Sequence, residues 1–261
     1  MAHALIFDSG IGGLSVAGHI RALLPGMSMT YVADDAFRPY GNKSEAQLNA
    51  RLPGLLRTLE IMCNPDVIVI ACNTASTTAL PGIRLAVKAP VVGVVPAIKP
   101  AAAGSQNRAI AVLGTPGTVR REYVQTLIDE FAQGCSVILQ GSTRLVDMAE
   151  RKLSGESVSR DDIKTELDPI FEAPLGGRVD TVVLACTHFP LLVPELSVAA
   201  PRPIKWIDSG AAIARRVQSL TKNVKESARE DVALLMGPPA SQSRKAAFAG
   251  FGFDRVVGLY P

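Results

Sequence analysis

The chain has 261 residues, 48% of them hydrophobic and 20% charged, with a net charge of +3. That is apolar material enough for one large or two smaller cores without metal or disulfide staples, and the charge is too weak and too scattered to point to nucleic acid or a membrane surface. No apolar run is long enough to span a bilayer, the first residues do not read as a signal peptide, and the four cysteines (Cys63, Cys72, Cys135, Cys186) form no C-x-x-C pair, so the expectation is a cytoplasmic protein with reduced thiols.

Short β-rich apolar runs alternate with longer helical stretches. Strands are expected at 4–7, 29–32, 67–71, 91–94, 109–113, 136–139, 181–185 and 204–207. Helices are expected near 14–24, 44–62, 74–87, 118–132, 142–153, 160–172 and 209–220. Several strands are continuously apolar, as parallel strands covered on both faces are. Ser44 is placed to cap the second helix and Pro53-Gly54 to kink it. The alternation predicts an α/β fold with mainly parallel sheets.

An internal echo suggests two related halves. Residues 65–74 read P-D-V-I-V-I-A-C-N-T and residues 179–188 read V-D-T-V-V-L-A-C-T-H, with the same separation from Asp66 to Cys72 as from Asp180 to Cys186. A second echo sets IFDSGIGG at 6–13 against AVLGTPGT at 111–118. Two such units are expected to face each other across a cleft. Ligands of open α/β sheets bind beyond the carboxyl ends of the strands, which would place both cysteines in that cleft.

A single buried cysteine is more often a small core residue than a reactive one. As a matched pair, Cys72-Asn73-Thr74 and Cys186-Thr187-His188 favour chemistry: each thiol follows a strand and precedes polar residues that could open a helix, whose N-terminus favours thiolate. Two opposed thiols suit a proton moved from one face of a carbon to the other, one ionised while its partner is protonated. A reversible disulfide, or nucleophilic catalysis by Cys186 with His188 as base, would use the same residues. Asp8, at the end of the first strand, is either a turn cap or a group that orients or deprotonates a neighbour, with Ser9 beside it as a carboxylate ligand. Pro39-Tyr40-Gly41 is a turn or a carboxylate-binding backbone, and Thr115 and Thr118 are caps or carboxylate ligands. The run G-I-G-G-L-S lacks the third glycine of a nucleotide loop. Cys186-Thr187-His188 is not a zinc spacing, and nothing around Lys99 resembles a pyridoxal-phosphate site. Cys63 and Cys135 read as packing residues.

These residues carry a family resemblance. The segments FDSGIGGLSV (7–16), YVADDAFRPYG (31–41), ACNTAS (71–76), GVVPAIKPA (93–101), GTPGTVR (114–120), LACTHFPLL (184–192) and WIDSG (206–210) closely resemble, in order, the glutamate racemases of the aspartate/glutamate racemase family. The resemblance implies two pseudo-symmetric α/β domains, residues 1–97 with 210–261 and residues 98–209, and a cofactor-free active site between them. It implies Cys72 as the base toward D-glutamate and Cys186 as the base toward L-glutamate, assisted by Asp8 and His188. It implies a substrate pocket formed by Asp8, Ser9, Pro39, Tyr40, Gly41, Cys72, Asn73, Thr74, Thr115, Thr118, Cys186, Thr187 and His188. The family's helper glutamate falls on Asp147 in Leu145-Val146-Asp147, with Glu150 three residues on, which leaves the helper carboxylate open. D-glutamate for peptidoglycan, a homodimer and a peptidoglycan-precursor activator follow by the same resemblance. The rival expectations are an aspartate racemase, a binding protein of the same fold without turnover, and a thiol hydrolase built on Cys186 and His188.

Overall fold

A computed structural model describes residues 2–221 and 230–259. The chain divides into two compact units, Met1–Val94 with Gly210–Pro261, and Val95–Ser209.

The first unit opens with β1 (His3–Asp8), α1 (Leu14–Leu23), β2 (Ser28–Ala33), α2 (Glu45–Cys63), β3 (Val67–Ile70), α3 (Asn73–Ala86) and β4 (Val91–Gly93). The second unit holds α4 (Ile98–Gly104), β5 (Ala109–Gly114), α5 (Pro116–Val119), α6 (Glu122–Phe131), β6 (Ser136–Gly141), α7 (Arg144–Leu153), α8 (Arg160–Phe171), β7 (Thr181–Ala185), α9 (Val193–Ala199) and β8 (Lys205–Ile207). The chain then completes the first unit with α10 (Gly210–Leu220), β9 (Val232–Met236), α11 (Gln242–Ala249) and β10 (Arg255–Leu259). Short 3₁₀ turns lie at Tyr40–Asn42, Gly176–Arg178 and Phe189–Leu192.

Both sheets are parallel throughout. The first has the order β10-β9-β2-β1-β3-β4 and the second β6-β5-β7-β8. The echo in the sequence is therefore a repeat of topology: β2-β1-β3-β4 in one unit corresponds to β6-β5-β7-β8 in the other. The two echoed aspartates act alike. Asp66 accepts from the His3 N–H (2.8 Å) at the start of β1, and Asp180 accepts from the Gln106 and Asn107 N–H groups (both 2.8 Å) just before β5. Burial pushes the Asp180 carboxyl up, but the hydrogen bonds from Asn107, Ser105, Thr181 and Gln106 outweigh it and hold the group below its ordinary range. Each aspartate fastens the start of the central strand to the strand that ends in cysteine.

All eight expected strands form. Strands β9 and β10 were not expected: β9 (VALLM) is a short apolar run whose residues alternate between half-buried and buried, and β10 (RVVGL) is exposed or half-exposed along its whole length. The helix expected over 118–132 is two, since Arg121 is extended (φ −74°, ψ 138°) between α5 and α6. Ser44 caps α2 in a reciprocal box: its hydroxyl accepts from the Gln47 N–H (3.2 Å) and its own N–H donates to the Gln47 side chain (2.9 Å). Helix α2 is one element with Pro53 inside it; the ring lies against Gly82 of α3, where a Cβ would come within 3.2 Å of Pro53 Cγ.

The C-terminal elements buttress the front of the first unit. Phe248 and Phe253 pack edge-on against the buried Tyr31 ring of β2. Arg21 of α1 donates to the Phe251 carbonyl (3.1 Å) and pairs with Asp231 (2.6 Å). The Ala36 N–H donates to the Met236 carbonyl (2.7 Å), and Arg244 of α11 pairs with Asp35.

Candidate active site

In the first unit, the candidate residues lie at the adjacent ends of β1 and β3. Phe7 pairs with Ile70, and the Ala71 N–H donates to the Phe7 carbonyl (2.7 Å). That register brings Asp8-Ser9 beside Cys72-Asn73-Thr74. Ser9 Oγ lies 3.7 Å from Cys72 Sγ. Cys72 is buried and extended (φ −137°, ψ 117°) at the N-cap of the fourteen-residue α3. The orphan N–H groups and positive end of that helix therefore face the thiol's surroundings.

Asp8 is also buried. One carboxylate oxygen, Oδ2, accepts from the Gly13 N–H (2.9 Å) at the head of α1, with the Tyr31 hydroxyl at 3.4 Å; that hydroxyl also donates to the Gly10 carbonyl (3.0 Å). The other, Oδ1, has no hydrogen-bond partner among the described residues, and neither does the Asn73 side chain at either of its polar atoms. Three buried polar atoms thus flank Cys72 with their hydrogen-bonding capacity unspent. Each such group costs about 1–3 kcal/mol if left unsatisfied, which is the signature of a place made for a polar ligand.

Tyr40 anchors the loop after β2. Its side chain turns into the protein, where its hydroxyl donates to Asp34 Oδ2 (2.6 Å), and Arg51 of α2 grips both Asp34 oxygens (2.7 Å each). Burial, then the Asp34 charge, pushes the Tyr40 phenol far above its ordinary range. The Tyr40 hydroxyl thus serves the loop, in which Pro39 is exposed and Gly41 half-buried. Asp34, Arg51 and Tyr31 were not singled out in the sequence; the doubled acid in ADDAFRPYG was the only visible signal.

In the second unit, the candidate residues lie at the ends of β5 and β7, where Gly114 pairs with Ala185. Thr115 caps α5, its hydroxyl accepting from the Thr118 N–H (3.3 Å) and standing 3.0 Å from the Thr118 hydroxyl; both threonines are buried. Cys186 and Thr187 are buried as well. Unlike Cys72, Cys186 does not head an α-helix: the Phe189–Leu192 turn that follows is a single 3₁₀ turn. Its neighbour is an imidazole instead. Cys186 Sγ lies 3.8 Å from His188 Nδ1, and His188 Nε2 lies 3.2 Å from Glu150 Oε1 on α7. A carboxylate at Nε2 selects the tautomer with its proton there, leaving Nδ1 as an acceptor for the thiol proton. Asp147, one turn earlier on α7, is exposed.

The repeat is thus broken where chemistry would need it broken. In register, Asp8 of β1 corresponds to Gly114 of β5, so the carboxylate beside one thiol has no counterpart beside the other. The second thiol has the His188–Glu150 pair. Cys63 and Cys135 are half-buried against core clusters. Among the described residues, no group of three or more His, Cys, Asp or Glu side chains is arranged to hold a metal ion.

Residues 15–217 match the Asp/Glu/hydantoin racemase family. The glutamate racemase of Vibrio campbellii is 47% identical over 257 residues, covering 97% of this chain and 94% of that one. The chain belongs to the glutamate racemase family of isomerases. The glutamate racemase of Sphingopyxis alaskensis is 50% identical over 220 residues, 84% of this chain and 82% of its own length. The crystal structure of Escherichia coli glutamate racemase in complex with L-glutamate and the activator UDP-MurNAc-Ala is 42% identical, with a TM-score of 0.93 over 99% of this chain and 98% of that one. Within the glutamate racemase fold, Glu150, not the residue in the Leu145-Val146-Asp147 motif, is the carboxylate that reaches His188.

Proposed function

We propose that this chain interconverts L- and D-glutamate without a cofactor, by a two-base mechanism in which Cys72 and Cys186 act on opposite faces of the α-carbon. The observation that carries the reading is that corresponding strands of a repeated sheet each end in a buried thiol, and each thiol has its own polar neighbours. Starting from L-glutamate, the Cys186 thiolate takes the α-proton and becomes a thiol, while the Cys72 thiol delivers its proton to the other face and becomes a thiolate. The reverse direction begins from that second state. His188 Nδ1 is placed to receive the Cys186 proton, with Glu150 stabilising the imidazolium. Asp8 assists on the Cys72 side, where the end of α3 favours the thiolate. An unperturbed thiol needs about 2 kcal/mol to ionise at pH 7, so modest help of this kind suffices. The unspent atoms of Asp8 and Asn73 suit the substrate's ammonium and carboxylate, with Ser9, Thr74, Thr115, Thr118 and Thr187 as further ligands and the Pro39-Tyr40-Gly41 turn offering backbone N–H groups.

The product then serves peptidoglycan synthesis in the cytoplasm. A homodimer, and activation by a peptidoglycan precursor of the kind present with the E. coli relative, complete the reading. Among the described residues no helix is long and apolar enough to cross a membrane.

The test is racemisation in deuterated water with no added cofactor. Product enantiomer should carry solvent deuterium from its first formation, while early remaining substrate shows little exchange. Cys72→Ser and Cys186→Ser should each abolish racemisation, and each should retain elimination only with the enantiomer of a β-chlorinated glutamate whose α-proton faces its surviving thiol. Racemisation near the parent rate in either variant would overturn the mechanism.

A further inference from the structure

Helix α7 touches the segment after Cys186 at two polar points. One is Glu150 to His188. The other, half a turn further along, is Lys152. Its ammonium donates to the Leu191 carbonyl (2.8 Å) and pairs with the Glu195 carboxylate (2.7 Å to Oε1, 2.8 Å to Oε2). The Leu191 N–H in turn donates to the His188 carbonyl (3.1 Å), so Lys152 is linked through one residue, Leu191, to the backbone of the residue that faces the thiol. The 3₁₀ turn between them has few internal hydrogen bonds to stiffen it.

We propose that Lys152, seated on Glu195, is a positioning residue: by tying α7 to the turn after Cys186 it fixes the Glu150–His188 contact and thereby the proton transfer on the Cys186 face. It touches neither substrate nor reacting atoms. The neighbouring Arg151 supplies a natural contrast, because it is on the same helix in an ion pair of similar length, with Glu156 (2.8 Å), that does not reach the turn. A lysine suits the task because one compact ammonium can serve a carbonyl and a carboxylate together.

The inference rests on the two-base reading, and the test separates them. Elimination from 3-chloroglutamate needs one deprotonation, so each enantiomer reports on one thiol alone. In the full-length protein, Lys152→Met should slow elimination with the L-configured analogue about tenfold, less than the roughly 100-fold that a 1 Å misplacement can cost, and leave the D-configured analogue within about twofold. Lys152→Arg should recover most of the loss, and Arg151→Met should leave both analogues unchanged. The NMR titration of His188 should move in Lys152→Met and not in Arg151→Met. Equal losses with both analogues, or no loss with either, would overturn the proposal, as would an unmoved His188 titration. If Cys186→Ser itself leaves the L-configured analogue unaffected, the two-base reading beneath falls, and the positioning role with it; if only His188→Asn leaves it unaffected, the positioning role falls alone.

Discussion

His188 lies between two groups from distant parts of the second unit, with Nδ1 3.8 Å from Cys186 Sγ and Nε2 3.2 Å from Glu150 Oε1. Glu150→Gln should therefore lower kcat by about 10- to 100-fold, the lower part of the range for a proton-transfer group and its partners. Asp147→Asn, which alters an exposed carboxylate on the same helix, should change it by less than about twofold, as surface substitutions usually do. Steady-state kinetics in both directions check this. An Asp147 effect equal to that of Glu150 would return the helper role to the family-motif position.

The Asp34 carboxylate is fully buried and held by Arg51 and Tyr40. Arg51→Met leaves that charge without its cation and should cost about 3–5 kcal/mol, as breaking one side of a buried pair does. Tyr40→Phe removes one hydrogen bond to a charged group and should cost about 1.5–3 kcal/mol. Urea unfolding of both variants measures the difference, and a larger cost for Tyr40→Phe would show that the phenol, not the guanidinium, holds Asp34.

Tyr40 also sets a pH dependence. Burial and Asp34 raise its pKa above the ordinary 10.0, so the phenol stays neutral in the folded chain at pH values where the unfolded chain ionises it. The stability it contributes is complete below pH 10.0 and is lost as pH rises above that value. The stability difference between the parent protein and Tyr40→Phe should therefore be flat below this point and shrink above it. A difference that grows with alkalinity would contradict the sign.

Gly13 has no room for a side chain: a Cβ would stand 2.8 Å from the Tyr31 hydroxyl, 2.9 Å from Ala71 Cβ and 3.0 Å from Asp8 Cβ. Gly13→Ala should cost about 1–3 kcal/mol as an overpacked core position does. It should also cut activity more than its stability loss explains, because the displaced atoms hold Asp8. Melting and kinetics on the same sample decide it; full activity would mean that Asp8 need not be held so closely.

Phe248 comes from the C-terminal stretch and packs fully buried against Tyr31. Phe248→Ala should cost about 3–5 kcal/mol, the usual loss for a buried aromatic ring. If that stretch only covers the sheet edge, the cost will be far smaller and the Tyr31–Gly10 hydrogen bond will persist in the variant's crystal structure.

The alternation of apolar strands with helices was legible because parallel strands covered on both faces tend to be apolar along their length, as β3 (VIVI) and β5 (AIAVLG) are. The paired A-C motifs were legible for a related reason: the end of a buried strand is where the chain must turn polar, so Cys72-Asn73 and Cys186-Thr187 stand out against what precedes them. The edge strand β10 was hidden because, exposed or half-exposed along its whole length, it has no such contrast. What only the tertiary structure decided is which side chains meet. Asp34 finds Arg51 across a loop and a helical turn, Glu150 rather than Asp147 finds His188, and Lys152 finds Leu191, 39 residues away. Sequence spacing determines the face of a helix on which a side chain stands, but not what the fold packs against that face. Composition and order along the chain thus determined the repeated parallel sheet and the two thiols at its strand ends, whereas the neighbours that make those thiols different came from packing, because short-range contacts between distant residues exist only once the backbone has been folded around them.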